Sequence, residues 1–513
     1  MVRVIESNER VLITNEEKEM KIKILTPIMF AVVAIVSCSE DSMTDLYSPA
    51  EPASQPACTM TVVATKGEVT NGNSSTRALA ESTDGNRLTA TWTAGDKVEV
   101  WTSDETEKYG ELTAQSSGTT TTLSGTLNTK PSDGQKLLLK YLSPDYSSQD
   151  GTLTGRPTSI DKVCDYAIAD LFVTVDGESV TGTTSLFTNQ QAIVKFTLRN
   201  KANSAALNVT KLFVNVAGTI YTVTPPAATS ELYVALPAMS NQQVTLTAQA
   251  GSAYYDCVSP ASPYIRFVEG QFHHVTAKLD EAKPMAQADA TSIGRVIGLD
   301  GNMYANVASA VNAGTLASAI VAYAGSETGE TQNHGLAIAM KDAGGGGRNM
   351  WSDQPYPGYT TTYNTNQYYT TAEAIAAKES GSANCTGKTD ATTWPAFYHA
   401  MNNTITVSDG ITRSAPESGT SGWFLPSLYQ WNLIVKGLTG KTADLTTSAN
   451  DDYKAEKLNA KITAVGGEGL VSYYYWSSTE QQKAGAWALR LIEGYAERMG
   501  MMTSLNFRAV FAF

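Results

Sequence analysis

The chain has 513 residues, of which 42% are hydrophobic and 17% are charged, and its formal net charge at pH 7 is −13. This length allows roughly three domains, and the apolar fraction is sufficient for several cores. Because no cluster of lysine and arginine stands out after residue 38, the electrostatic pattern of a nucleic-acid-binding protein is missing, and nucleic acid is not an expected partner. The abundance of threonine, serine, glycine and alanine is common in secreted proteins rich in β-strands.

The segment from Met20 to Cys38 has the pattern of an export signal. Two lysines precede an apolar run over residues 24–36, which is shorter than the ~20 residues of a bilayer span and ends on Ser37 and Cys38. Residues 35–38, Ile-Val-Ser-Cys, resemble a bacterial lipobox, in which the signal is cut before the cysteine and the cysteine is acylated. The resemblance implies lipidation of Cys38. The alternative is an ordinary thiol beside an uncleaved helix.

Residues 1–37 are therefore interpreted as an upstream extension and a signal peptide. Met20 is favoured over Met1 as the start, because the first 19 residues are rich in glutamate where a signal needs a basic beginning. Residues 39–41, Ser-Glu-Asp, resemble the acidic tag of surface-exposed Bacteroidetes lipoproteins, which implies a lipid anchor in the outer membrane. Residues 38–58 hold prolines among small and acidic residues and are predicted to form a tether.

The remaining cysteines and the histidines do not form a metal-binding pattern. No CxxC or Cys/His cluster occurs, so a zinc site is not expected, and no cofactor is predicted. His273 and His274 would face opposite sides of a strand and are predicted to be strand residues. Four cysteines remain after Cys38, and they allow three disulfide pairings among which spacing does not choose: Cys58, Cys164, Cys257 and Cys385.

Short alternating runs between residues 59 and 280 are separated by turn residues and predict two β-sandwiches. No convincing amphipathic helix interrupts them. A loose boundary near residues 177–184 divides them into domains over 59–178 and 179–283. The predicted strands are Thr59–Thr65, Leu88–Trp92, Lys97–Trp101, Lys136–Leu142, Ala192–Leu198, Lys211–Val216, Glu231–Leu236, Gln243–Ala248 and Gln271–Leu279.

Helical patterns appear in the last part of the chain. Ser427 and Gln430 have the spacing of a capping box, and apolar residues at helical spacing follow until Gly440. A second helix is predicted from about Asp452 to Val465. The last domain is therefore predicted to be α+β.

One pair of motifs lies in the first predicted sandwich. Residues 75–77 read Ser-Thr-Arg, and residues 91–98 read Thr-Trp-Thr-Ala-Gly-Asp-Lys-Val. Gly95-Asp96 is a turn signal, and Trp92 is a natural core anchor. Together with the lipobox and the two β-rich segments, this pattern resembles the fimbrillin family of Bacteroidetes, which implies transthyretin-like sandwiches and a role in type V pili.

In that family the subunits are exported as lipoproteins, and an Arg-specific protease removes an N-terminal strand. The resemblance implies that the open groove then accepts a strand from a neighbouring subunit, which satisfies the unpaired backbone and the apolar core. Arg77 is the matching candidate for proteolytic processing, and residues 71–76 before it are small and polar. The alternative is a surface arginine in a flexible linker.

A second set of motifs covers residues 290–513. The segments 422–427 (Gly-Trp-Phe-Leu-Pro-Ser), 475–480 (Tyr-Trp-Ser-Ser-Thr-Glu), 486–489 and 507–510 are similar to those of C-type-lectin-like domains on bacterial surface proteins. Trp423, Trp476 and Trp487 are predicted to build its hydrophobic centre. Calcium-dependent sugar binding is not expected, because the calcium triplets of those lectins are missing. Catalysis like that of the related sulfatase-modifying enzymes is not expected either, because this domain has only Cys385.

The function predicted from these resemblances is adhesion by an accessory or tip pilus subunit. Expected partners are other pilus subunits and a glycan or protein on a host or bacterial surface. The chain is not predicted to be an enzyme, since no nucleophile, base or metal set is recognisable. The alternative is a surface glycan-binding lipoprotein that does not polymerise. Asp342 and Asp353 lack the spacing of a calcium site. The candidate ligand contacts are aromatic residues in a loop: Trp351, Tyr356, Tyr359, Tyr363, Tyr368 and Tyr369. The alternative is a long loop that folds onto its own domain.

Overall fold

The computed structural model describes residues 58–66, 69–70, 80–81, 87–142, 145–353, 363–364, 366–406, 412–413, 415–416, 418–482 and 484–513. Most of the ordered segments in this part of the chain are β-strands, which confirms the predicted mainly β fold.

The first domain is built from strands whose side chains alternate between a buried and a wet face. The short helix α1 (Ile160–Val163) lies between β9 and β10. The strands are β1 (Cys58–Lys66), β2 (Val69–Thr70), β3 (Ala80–Glu81), β4 (Arg87–Thr89), β5 (Lys97–Thr102), β6 (Lys108–Ala114), β7 (Thr120–Leu127), β8 (Lys136–Tyr141), β9 (Ser148–Gln149), β10 (Ala167–Asp176), β11 (Ser179–Gly182) and β12 (Ser185–Asn189).

The main sheet of this domain has the strand order β11-β1-β12-β10-β8-β5-β6-β7, and β1 also pairs with β7, which closes the sheet. Strands β2, β4 and β3 form a separate small sheet. The first domain extends to Asn189, so the predicted boundary at residue 178 falls inside it. The physical reason is that β11 and β12 both pair with β1 and with β10, which binds residues 179–189 to the first domain.

Trp92 anchors the core of the first domain, as predicted. Its ring packs edge-on against Tyr141 and Phe187, with ring centres 5.7 and 5.3 Å apart. The predicted turn is also present, because Gly95 has a φ of +97° and the Asp96 carboxylate accepts the Thr93 N–H at 2.9 Å.

The second domain is an eight-stranded sheet in the order β16-β13-β21-β19-β18-β14-β15-β9, in which β9 comes from the first domain. His273 and His274 both lie in β21, as predicted. The strands are β13 (Gln191–Asn200), β14 (Lys211–Val216), β15 (Thr219–Val223), β16 (Glu231–Pro237), β17 (Met239–Gln242), β18 (Val244–Ala250), β19 (Ala253–Val258), β20 (Ile265–Phe267) and β21 (Phe272–Glu281).

The third domain combines a five-stranded sheet, β23-β22-β24-β25-β31, and a three-stranded sheet, β28-β29-β30, with several helices. Its elements are β22 (Val296–Gly298), β23 (Met303–Tyr304), α2 (Val307–Asn312), β24 (Ala317–Ala324), β25 (Gly335–Ala339), α3 (Thr371–Ala376), α4 (Gly381–Cys385), α5 (Pro395–Met401), β26 (Ile405–Thr406), β27 (Thr412–Arg413), α6 (Leu428–Thr439), α7 (Ala455–Ile462), β28 (Tyr474–Gln482), β29 (Gly485–Arg490), β30 (Tyr495–Gly500) and β31 (Val510–Ala512). Trp423, Trp476 and Trp487 are buried in one core cluster, as predicted.

The two predicted helices have different outcomes. α6 begins with the predicted capping box between Ser427 and Gln430 and ends at Gly440, whose φ of +70° is left-handed. The second helix is shorter than predicted. Lys454 has an extended backbone, with φ −67° and ψ 152°, and it separates a 3-10 turn over Asp451–Tyr453 from α7. The apolar residues that indicate this helix, Leu458, Ile462 and Val465, all lie after Lys454, so their spacing does not show where the helix begins.

The second and third domains are joined by a buried ion pair. The carboxylate of Asp256 in β19 accepts a hydrogen bond from Arg295 Nη2 at 2.8 Å and from the Ala305 N–H at 2.7 Å. Beside it, the Asn306 side chain donates to Thr245 Oγ1 at 2.9 Å. The junction is therefore held by hydrogen bonds that require one relative arrangement of these groups.

The four described cysteines, Cys58, Cys164, Cys257 and Cys385, are free thiols. None of the three pairings that the sequence allows is formed. Burial raises the pKa of both Cys164 and Cys385 to about 12, so these thiols stay protonated at neutral pH.

Candidate functional site

The first candidate site is the position of β1 in the first domain. Cys38 and Arg77, the predicted lipidation and processing residues, lie outside the described residues, but β1 precedes Arg77 in the chain. β1 runs antiparallel to β7 over Cys58–Thr65 and parallel to both β11 and β12. It therefore occupies a groove between two sheet edges.

The inward face of β1 fills the core of the domain. Every second residue is buried, and the outward residues between them are three threonines and one valine, most of them exposed. Without β1, the backbone groups of β7 on one side and of β11 and β12 on the other would lose their partners, and the core would open. The buried residues are Cys58, Met60, Val62, Ala64 and Lys66.

The second candidate site is the aromatic loop of the third domain, where Trp351 requires a correction. It is 0% exposed, and its ring packs against Phe397 and Trp394 with centres 4.8 and 5.7 Å apart. Its indole Nε1 donates to the Ser477 carbonyl at 2.9 Å. A side chain with no exposed surface cannot meet an external ligand, so Trp351 is a core residue.

The tyrosines of this loop differ in exposure. Tyr356 and Tyr359 lie outside the described residues. Tyr363 and Tyr368 are half-buried: the Tyr363 ring lies 4.9 Å from that of Trp394, and the Tyr368 carbonyl accepts the indole N–H of Trp487 at 2.9 Å. Tyr369 is 59% exposed, which makes it the best-placed ligand contact among the described candidates.

The backbone of Tyr369 is held firmly although its side chain is exposed. Its N–H donates to Glu373 Oε2 at 3.0 Å, and its carbonyl accepts from Gln481 Nε2 at 3.1 Å. Thr370 and Glu373 also form a capping box at the start of α3. An exposed aromatic side chain on a fixed backbone gives contact area at a lower entropic cost than one on a mobile backbone.

A buried carboxylate anchors the same loop from below. Glu480 accepts the N–H groups of Tyr363 and Asn364 at 2.9 and 2.8 Å and the Gln367 side chain at 2.8 Å. Lys388 Nζ donates to Asn364 Oδ1 at 2.9 Å. Burial raises the pKa of the Glu480 carboxyl and lowers the pKa of the Lys388 ammonium. The sequence analysis does not identify this anchor. The signal that could have identified it is Glu480 itself, a charged residue within a run of buried strand residues.

Asp342 has a structural role. Its carboxylate accepts hydrogen bonds from Arg508 Nε at 2.5 Å and from the Tyr475 hydroxyl at 2.9 Å, so both of its oxygens already have partners. Within the described ranges, no group of three or more histidine, cysteine, aspartate or glutamate residues has the arrangement of a metal site. Over the same ranges, none of the helices has the length and apolar character needed to cross a membrane.

No family model matches the chain, and no curated protein is similar to it. Among solved structures, a fimbrial protein from Bacteroides ovatus is similar at 14% identity and a TM-score of 0.27, over 89% of this chain and 99% of that chain. A shaft pilin from Lactobacillus rhamnosus GG is similar at 8% identity and a TM-score of 0.21, over 44% of this chain and 98% of that one. TM-scores this low establish neither a common fold nor a common function.

Proposed function

We propose that this chain is a surface adhesion subunit of a pilus that is assembled by strand complementation. The observation that carries the proposal is the position of β1, which pairs with β7 on one side and with β11 and β12 on the other and which precedes Arg77 in sequence. A cut after Arg77 would separate β1 from the rest of the domain. The open groove would then accept an extended strand from another subunit.

The segment that follows Arg77 is anchored independently of β1. The Glu81 carboxylate in β3 binds Lys195 Nζ at 2.9 Å and the Tyr233 hydroxyl, and both partners belong to the second domain. Burial alone would raise the pKa of Glu81, but these two hydrogen bonds outweigh burial and lower it, so the carboxylate stays ionised. The new N-terminal segment would therefore stay attached after cleavage.

We further propose that the third domain, which resembles C-type lectins in its motifs, is the ligand-binding end of the subunit. Residues 510–512 form β31 within the sheet of that domain, where they pair with β25, and Phe513 is buried. These residues are therefore unsuited to act as a donor strand for another subunit. The arrangement favours an accessory or tip position, with Tyr369 offered to a glycan or protein ligand.

We also propose that Cys38 carries a lipid before assembly and that the chain binds a ligand and does not act as an enzyme. The alternative, an anchored glycan-binding protein that does not polymerise, is favoured by one feature: β1 fills its own groove in the uncut chain. Both functions need the third domain, but only the first needs cleavage.

Cleavage is tested by replacing Arg77 with alanine in cells that assemble the fibres. We expect the wild-type chain in sheared fibres and the Arg77→Ala variant only in the membrane fraction, because β1 would stay in the groove. Immunoblotting of both fractions is the measurement. Arg266→Ala, which changes an exposed arginine of β20, is the matched control and should be incorporated normally. Equal incorporation of the Arg77→Ala variant would contradict the proposal.

The ligand-binding end is tested by replacing Tyr369 with alanine. We expect binding of protein-coated beads to epithelial cell monolayers to fall by on the order of tenfold, because an exposed aromatic anchor typically contributes about 1–2 kcal/mol or more. Tyr264→Ala removes another exposed tyrosine, in the second domain, and should leave binding unchanged. If both variants bind as well as the wild type, or both lose binding equally, Tyr369 is not a specific contact.

A further inference from the structure

We infer that the strand which replaces β1 carries a lysine or arginine at the position of Lys66, because the end of the groove is a pocket built for a cation. This inference rests on the proposed strand complementation and specifies the chemistry of the partner. The pocket is formed by Trp92, Tyr141 and Asp96, and it is called the cation pocket below.

Lys66 is a buried charge on the inward face of β1. Its side chain is 1% exposed, and Nζ lies 3.9 Å from the centre of the Trp92 ring and 5.1 Å from that of Tyr141. The same atom lies 3.3 Å from Asp96 Oδ2 and donates to the Thr91 carbonyl at 2.9 Å. A cation thus meets two aromatic faces, a carboxylate and a carbonyl at one point.

The cation pocket belongs to the rest of the domain and would outlast the removal of β1. Trp92 is packed against Phe187, and its backbone pairs with Gly118. Asp96 is fixed by the turn, where it accepts the Thr93 N–H. The Asp96 side chain is only 13% exposed with β1 in place, so a replacement strand that covers the pocket without supplying a cation would bury this carboxylate without its charge partner, which is costly.

The register of β1 determines which other residues of the replacement strand face the core. Side chains of a strand alternate, so the residues two, four, six and eight positions before the cation also face inward. In β1 these are Ala64, Val62, Met60 and Cys58, and Met60 lies opposite Gly125 of β7. The partner is therefore an extended segment with small or apolar residues at alternate positions, including a small one two positions before the basic residue.

The alternation also gives a matched control. Thr65 is adjacent to Lys66 but belongs to the outward face. A peptide in which Thr65→Lys and Lys66→Thr are combined has the same composition and charge as β1, yet its lysine would point to water. Any difference from the native peptide then reports the pocket and not overall charge.

The experiment uses the full chain, cut with an Arg-specific protease, freed of its β1 fragment in denaturant and refolded in reducing buffer with labelled nonapeptides. The peptides are the sequence of residues 58–66, its Lys66→Arg and Lys66→Met variants, and the exchanged peptide. We expect the lysine and arginine peptides to bind alike, and the other two to bind at least about tenfold more weakly. In a chain with Asp96→Asn, the difference between the lysine and methionine peptides should shrink.

Each outcome decides one question. If all four peptides bind equally, the basic-residue requirement is overturned while strand complementation stands. If not even the native peptide binds, the proposed strand exchange is overturned as well, provided that the second and third domains have refolded, which circular dichroism checks.

A measurement on the uncut chain avoids refolding. We expect Lys66→Arg to keep the melting temperature of the first domain, and the exchanged pair of residues to lower it by about 4 °C or more. The same melting temperature for the wild type, Lys66→Met and the exchanged chain would overturn the cation pocket, whatever the peptides do.

Discussion

Replacing Arg508 with methionine is expected to lower the free energy of unfolding of the third domain by about 3–5 kcal/mol. Arg508 is 0% exposed, and its Nε lies 2.5 Å from Asp342 Oδ1. Its guanidinium also donates to the carbonyls of Ala339 and Glu468 at 3.0 and 3.1 Å. Methionine matches the volume approximately but leaves a buried carboxylate and two carbonyls without these donors. Urea unfolding followed by tryptophan fluorescence measures the loss.

The control is the double variant Asp342→Asn with Arg508→Met. It removes the buried negative charge together with its partner, and we expect it to be more stable than Arg508→Met alone. Tyr475 can still donate its hydroxyl hydrogen to the asparagine oxygen. A loss below about 1 kcal/mol for Arg508→Met, or a double variant less stable than the single one, would show that the pair does not support the domain.

Replacing Arg295 with methionine is expected to have a comparable effect at the junction of the second and third domains. Asp256 is 1% exposed and would keep only the Ala305 N–H of its two main partners. Breaking a buried pair of this kind costs about 3–5 kcal/mol. We therefore expect the variant to unfold in two separate transitions, which differential scanning calorimetry would detect.

The cost of Arg295→Met should depend on pH in a definite direction. Burial already raises the pKa of Asp256, although Arg295 opposes the shift, and removing Arg295 raises this pKa further. A group whose pKa is raised on folding contributes most below its unfolded pKa of about 3.9, and that contribution is lost as pH rises through the folded pKa. The variant should thus approach the wild type in stability as pH falls from 7 towards 4. Asp256→Asn with Arg295→Met is the control that should lack this dependence, and a pH-independent cost would contradict the explanation.

Local signals in the sequence predicted local structure well. The capping box at Ser427, the stop at Gly440 and the turn at Gly95 each depend on residues within four positions of one another, and all are present. Trp92 could be assigned to the core because a large aromatic residue beside a turn between two strands typically packs into the core that the strands form.

Features that depend on distant pairing could not be predicted in the same way. The first domain extends past residue 178 because β11 and β12 pair with β1, more than a hundred residues earlier in the chain. The polar neighbours of Trp351 in the sequence predict a surface contact, yet Trp394 and Phe397 cover it in the folded domain. The inward position of Lys66 was different: it has the same parity as Met60, Val62 and Ala64, so the alternating pattern contained that signal.

We propose that β1 is removed by cleavage at Arg77 before the chain enters a fibre. The decisive test is intact-mass and N-terminal analysis of the protein from outer membranes and from sheared surface fibres. We expect an N-terminus at Ala78 in the fibre fraction. A chain that keeps β1 in the fibres, or one that is found only in membranes with a lipidated Cys38, would contradict it and favour an anchored binding protein.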